Sequence, residues 1–546
     1  MKKIFIIKTI CILYLLIGYQ PIFAQKSNMN VKKQTTTWNG SIWSNGMPTS
    51  TTKAIFESDY RTTENLSASA VQVLPNVKVT ISNNTILRVI NEIKVAPTGK
   101  LTFEETAQLV QKNPTSVNSV MDFVRLTAPI QRFDYTYFCS PVTGQQLNLL
   151  TNYDYPIQNY LTLGGPYAPP LFDKYYTWND AGTPEGYYAT ILNSGAWQNI
   201  PETSLMDPAG KGFIVRAPQS FPFNYQQWQV KFTGEPHDGN ISVPMTGTPF
   251  TPFTPFSGAI TTPVAISQTD PSPALPAYQP CANPNYAFNL IGNPYPSSVD
   301  ADSFLSNPTN AINLGGAIYL WSHKTAPSGA FTGDGTTPIN YTADDYAIYN
   351  LVGGVGSGAG SPINGGNRPA GEIAMGQGFF VKGLTNSGAF FNNDMRDYSA
   401  HGTDFNNQIF YRTNGTNMVT LPAKNRFWLS LGGKETLIGY MPQTSVAAQP
   451  STAAYTITGS VNGYDKMYDT ELFKTAYNTS SELGSRLEFY TIISPTTPCP
   501  RLAIQGRKLD ATFNINDVVP LGYSCPAGTY TIKLGNKEGL FGSQLI

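Results

Sequence analysis

The residues that could do chemistry in this chain of 546 are few: His237, His323 and His401, five cysteines, and a scatter of carboxylates. Hydrolysis by a nucleophile or a bound metal needs such groups at set spacings, and neither HExxH nor GxSxG occurs. A zinc site is equally unsupported, because there is no CxxC and every histidine lies far upstream of Cys499 and Cys525. Acidic neighbours such as Asp344 and Asp345 would point to opposite faces of a strand. Asp465 and Asp469 in "NGYDKMYDTELF" read as a solvated turn, with calcium ligation through hard carboxylate oxygens as the alternative. The glycines of "GKGFIVRA" (210–217) and "GQGFFVKG" (376–383) suggest a phosphate cradle, but that device places glycines between a strand and a helix, and here they precede a strand. The expectation is a protein with no catalytic residue, no cofactor and no metal: not an enzyme.

The repeated octapeptide is better read as architecture. Gly210, Gly212 and Phe213 recur as Gly376, Gly378 and Phe379, with a basic residue in seventh place each time. Three further blocks recur in the same order: "YTYFCSPVTG" (135–144) with "FNLIGNPYPS" (288–297), "YYTW" with "IYLW", and "GYYATI" with "DYAIYN". Preserved order predicts two tandem modules, 115–245 and 285–405, that superpose Trp178 on Trp321 and Phe213 on Phe379. Apolar residues on both faces of "GFIV" and "GFFV" predict a central buried strand, its glycines allowing close backbone approach. Trp178 and Trp321 read as core, with a sugar platform as the alternative.

The elements around these blocks are β throughout. Runs such as Val77–Ile81, Leu87–Val89, Ile93–Val95 and Leu101–Phe103, six to eight residues apart, predict a β-solenoid-like segment over 33–113, or else a small sandwich. Two or three rungs cannot bury a core alone, so this segment should lean on the module that follows. Ten prolines between Pro244 and Pro284 mark a linker over 246–284, in which Phe250, Phe253 and Phe256 would share one edge of a polyproline II stretch. "RFWLSL", "RLEFYTII", "RLAIQGR" and "GTYTIKLG" predict a C-terminal β-sandwich over 406–546. The fold class expected is all-β.

Residues 1–25 place Lys2, Lys3 and Lys8 before an apolar run that ends near Ala24, the layout of a cleaved signal peptide. After Lys8 the run is too short to span a bilayer, so an integral membrane protein is not expected. Removing the three lysines leaves a net charge near −3, with no basic field to attract nucleic acid. An exported chain meets an oxidising environment, where a candidate Cys499–Cys525 disulfide would contribute roughly 3 kcal/mol.

"WNGSIWSNGMPTSTTKAIF", "DYTYFCSPV", "NLIGNPYPSSVDADSFL", "GQGFFVKG", "LAIQGR" and "GTYTIKLGNKEGLF" together resemble the surface and secreted proteins that Bacteroidetes, flavobacteria above all, export by the type IX secretion system. The resemblance covers nearly all of the mature chain. It implies passage through that secretion machinery to the cell surface or the medium, and it supplies no catalytic residues. Such proteins usually end in a β-rich sorting domain, whereas "GLFGSQLI" ends as a strand begins, which predicts a fragment. The expected function is a surface adhesin or structural module that meets surface glycans or other cell-surface proteins. The alternatives are a glycan-binding module, suggested by 31 Tyr, 29 Phe and 7 Trp, and a secreted hydrolase.

Overall fold

The structure, a computed structural model, describes residues 34–543 except 115–118, 132–133, 151–174, 179–196, 219–220, 222–223, 248–286, 323–344, 358–367, 397–423, 443–459, 473–486, 495–496 and 511–512. For 34, 175–178, 197–199, 494 and 497–499 only the backbone is described. The signal peptide, residues 248–284 of the Pro-rich linker with its three phenylalanines, His323, His401, Asp344 and Cys281 therefore lie outside the described residues. The protein is mostly β, with several sheets.

The N-terminal strands wind through three sheets in turn, each joined by parallel pairing. Val71 lies beside Ile93, Ile86 beside Gln108 and Lys78 beside Lys100, so one circuit takes 22 residues. Three sides per circuit is why the short apolar runs recur every six to eight residues. Alternation sends Val71, Val79, Ile81, Leu87, Leu101 and Phe103 inward to one buried cluster. That cluster does not end with the coil, because Phe138, Phe213, Trp228 and Phe232 belong to it as well. Met121–Leu126 makes the junction by pairing parallel to Lys100–Phe103 on one side and antiparallel to Gln229–Gly234 on the other.

Two sheets with one plan follow. In the first the order is Tyr135–Phe138, Phe213–Arg216, Tyr175–Trp178, Trp197–Asn199; in the second it is Ala287–Gly292, Gly378–Gly383, Leu314–Trp321, Tyr346–Asn350, Gly354–Val355. Their registers also agree. Phe213 lies opposite Phe138 as Phe379 lies opposite Ile291, and Val215 lies opposite Tyr175 as Val381 lies opposite Ile318. Counting on from Tyr175 and Ile318 gives Trp178 and Trp321 the same position.

Two short helices, Ala301–Ser306 and Pro308–Asn313, interrupt the expected all-β chain between the first two strands of the second sheet. Each has a local cause. The Asp300 carboxylate accepts the Asp302 N–H, the Asn307 side chain accepts the Thr309 N–H, and Pro308 starts the second helix where its missing N–H costs nothing. Phe304 then packs on Phe379 and Phe391.

The C-terminal region is one seven-stranded sheet curled into a half-barrel, where a two-sheet sandwich was expected. The difference comes from Thr497–Leu509, a 13-residue strand that takes several partners along its length. It pairs parallel with Lys434–Pro442 and antiparallel with Glu488–Ser494 and Thr470–Glu471. Parallel pairing between residues 67 positions apart leaves no local turn signal.

Candidate functional site

The glycine motifs meet at the junction of the two sheets, and each is occupied by the other sheet. Phe138 of the first pairs with Gln377 of the second motif, while Ile291, which stands where Phe138 stands, pairs with Lys211 of the first motif. The Cys139 N–H donates to the Gly376 carbonyl at 2.8 Å, and the Gly292 N–H donates to the Gly210 carbonyl at 2.8 Å. The exchange is reciprocal, as around a local two-fold axis. It also explains the glycines. A Cβ at Gly212 would lie 2.5 Å from Leu290 Cγ, and one at Gly378 would lie 2.9 Å from Tyr137 Cβ, where Leu290 and Tyr137 are equivalent residues. Gly210 and Gly376 have φ of +86° and +74°, which a side chain would strain.

Aromatic rings seal this junction. Tyr137 stacks on Trp321 with centroids 5.9 Å apart and meets Phe380 edge-on, and its hydroxyl lies 2.5 Å from that of Tyr346. Trp321 is buried in this cluster, so it is core and not a sugar platform; the Trp178 side chain lies outside the described residues.

The basic residue in seventh place is buried in both copies, as Arg216 and Lys382. Lys382 Nζ donates to Glu471 Oε2 at 2.5 Å, and the Tyr464 hydroxyl donates to Glu471 Oε1. Burial alone would push the Glu471 pKa up; Lys382 and Tyr464 outweigh it and hold the carboxyl below its ordinary value. This ion pair joins the second sheet to the C-terminal region.

"NPYPSS" is a second junction. The Leu109 N–H donates to Pro296, the Ser298 N–H and hydroxyl both donate to Gln108 Oε1, and the Tyr295 hydroxyl donates to the Gly239 carbonyl. Fully buried Arg396 fans its donors to Leu109 O, Ser297 Oγ and Asn393 Oδ1 while stacking over the Tyr295 ring. His237 belongs here too. Its Nδ1–H donates to the Pro294 carbonyl, and burial lowers its pKa, so this imidazole stays neutral as a structural donor.

Among the described residues, Cys139 and the Asp465–Asp469 pair are buried within the fold. Burial pushes the Cys139 thiol up to about 12, which leaves almost no thiolate at neutral pH. Asp465 and Asp469 sit in a buried turn, where a solvated one was expected. Asp469 accepts the N–H groups of Asp465 and Gly506, and Asp465 accepts that of Met467. Burial raises the Asp469 pKa well above the ordinary carboxylate range. No cluster of three or more metal-ligating side chains occurs among the described residues.

The expected Cys499–Cys525 bridge does not fit the C-terminal sheet. Cys525 follows Ser524, which lies opposite Glu488, whereas Cys499 lies by the turn where Ser494 meets Thr497. Those two points are the opposite ends of one strand, roughly 20 Å apart at about 3.3 Å per residue, and a disulfide needs Cα atoms within about 7 Å. Cys525 is a free thiol.

A family model described as a domain of unknown function, DUF8693, matches residues 31–546. The chain belongs to the DUF8693 family. The match takes in the coil, both sheets and the half-barrel together, which is the extent over which the junctions above run. No curated protein and no solved structure matches the chain. Among the described residues, no helix is long and apolar enough to cross a membrane.

Proposed function

We propose that this DUF8693 protein is an extracellular surface module, adhesive or structural in role and not enzymatic, carried across the outer membrane by the type IX secretion machinery after removal of residues 1–25. In this reading the first part is a β-solenoid, and the two sheets descend from one duplicated module. The observation that carries it is the use made of buried polar groups. Arg396, His237, the Lys382–Glu471 pair and both glycine motifs join one part of the chain to another, which suits a body that must bear load outside the cell. The test compares adhesion of a deletion strain with its parent, alongside purified mature protein assayed on polysaccharide, peptide and ester substrates. Reduced adhesion with no turnover supports the reading. Turnover abolished by a single carboxylate substitution would replace it with the hydrolase reading.

A glycan-binding role is the second reading. Trp38, Trp43 and Tyr60, all half-buried, cluster within 5.0–5.7 Å of one another in the first circuit of the coil. Their ring planes are inclined at 53–73° and form no flat platform, which keeps this reading second. A glycan array with the mature protein and Trp43→Ala separates the two.

A further inference from the structure

Asp300 and Glu372 face each other directly across a two-residue antiparallel pair, Val299–Asp300 with Glu372–Ile373. Side chains so placed have Cβ atoms about 4.5–5.5 Å apart, and like charges there repel. Asp300 is buried, and its two oxygens are committed to the helix that follows: Oδ1 accepts the Asp302 N–H at 2.9 Å and Oδ2 accepts the Ser303 hydroxyl at 2.8 Å. Both bonds favour the ionised form of Asp300. With Asp300 ionised, a carboxylate directly opposite favours the protonated form of Glu372.

Among the described residues, three charged groups besides the pair itself lie on the elements packed against it. Asp302, on the helix, is held by Lys424 Nζ at 2.7 Å and by the Tyr349 hydroxyl. Asp394 and Arg396 lie on the turn Asn393–Arg396, and Arg396 is held by Leu109, Ser297 and Asn393 and by the Asp238 carboxylate at 3.9 Å. Val299 and Ile373 on either side are fully buried, the Ala301 N–H donates to the Gly371 carbonyl, and Asn293 Nδ2 donates to the Ile373 carbonyl. The paired strands thus lie between "NPYPSS" and the second glycine motif, where the junctions converge.

We propose that Asp300 and Glu372 hold one proton between them, on the Glu372 carboxyl, and that this proton is an alkali-labile latch on the junction. Burial, and then Asp300, push the Glu372 pKa from its ordinary 4.5 up to about 8. The unfolded chain loses this proton near pH 4.5 and the folded chain only near pH 8. Between those values the folded state binds more protons, so stability falls as pH rises, and it levels off above pH 8.

The test is denaturant unfolding of the mature chain from pH 4.5 to 9.5 for the parent, Glu372→Gln and Asp300→Asn. Comparison with Glu372→Gln cancels every other titrating group. The parent's unfolding constant should rise against that variant about tenfold per pH unit between roughly pH 5 and 8, then level. Asn still caps a helix, so Asp300→Asn should fold and level at a lower pH. A ratio of parent to Glu372→Gln that is flat with pH overturns the proposal. So does an unchanged levelling point in Asp300→Asn, which is also the deciding arm if Glu372→Gln does not fold.

Discussion

Cys139 and Gly292 follow strands that match in order and register, and they face each other: a side chain on Gly292 would put its Cβ 2.4 Å from the Cβ of Cys139. At a local two-fold axis equivalent residues compete for one space, and here only one of them has a side chain. Gly292→Ala should therefore destabilise the protein by about 2–3 kcal/mol, as overpacking of a core does. Cys139→Gly/Gly292→Ala should recover part of that loss and not all, because the Gln377 carbonyl would still lie 2.7 Å from the new Cβ. Denaturant midpoints of the three proteins check both expectations.

Lys382 and Glu471 are both buried, so removing one leaves the other charge without compensation. Lys382→Met should cost about 3–5 kcal/mol, and Lys382→Met/Glu471→Leu should restore most of it, since a buried ion pair replaced by apolar groups is often near neutral. A double-mutant cycle by equilibrium unfolding measures the coupling. A double variant no more stable than Lys382→Met would mean that the pair joins the second sheet to the half-barrel through something besides its charges.

Arg396 works through the shape of its guanidinium as well as its charge, because three donors reach three acceptors on three segments. Lys keeps the charge and loses the fork. Arg396→Lys should be destabilised by about 2–4 kcal/mol, since each charged hydrogen bond contributes about 1.5–3 kcal/mol. Hydrogen exchange should quicken first at Leu109 and Ser298, whose amides bond across the same junction.

Much of this is legible in the sequence. The short alternating runs carry the β class in their periodicity, and the blocks at 135–138, 175–178 and 213–216 are strands in the same order as those at 288–292, 318–321 and 378–383, whereas "GYYATI" (186–191) lies outside the described residues. What the blocks could not show is that each motif is completed by the other sheet, since a contact between Phe138 and Gln377 has no local trace. The helices after Asp300 and Asn307 were missed although both caps and Pro308 are plain in "VDADSFLSNPTN"; the surrounding β pattern outweighed a signal only six residues long. Asp465 and Asp469 read as solvated because two acidic residues shortly after Asn462 and Gly463 suggest an exposed turn, and burial depends on strands distant in sequence. The cysteine pairing failed for the same reason: loop length says nothing about which end of a strand each cysteine occupies.

The reciprocal exchange between the two glycine motifs is tested most directly by a cross-link. Lys211 and Ile291 pair across the junction, at a Cα separation of about 4.5–5.5 Å, within disulfide range. Lys211→Cys/Ile291→Cys should, after mild oxidation of the folded protein, yield a disulfide-linked peptide joining residue 211 to residue 291, while neither single variant does. Two freely alkylated thiols in a double variant that is folded and oxidised would contradict it.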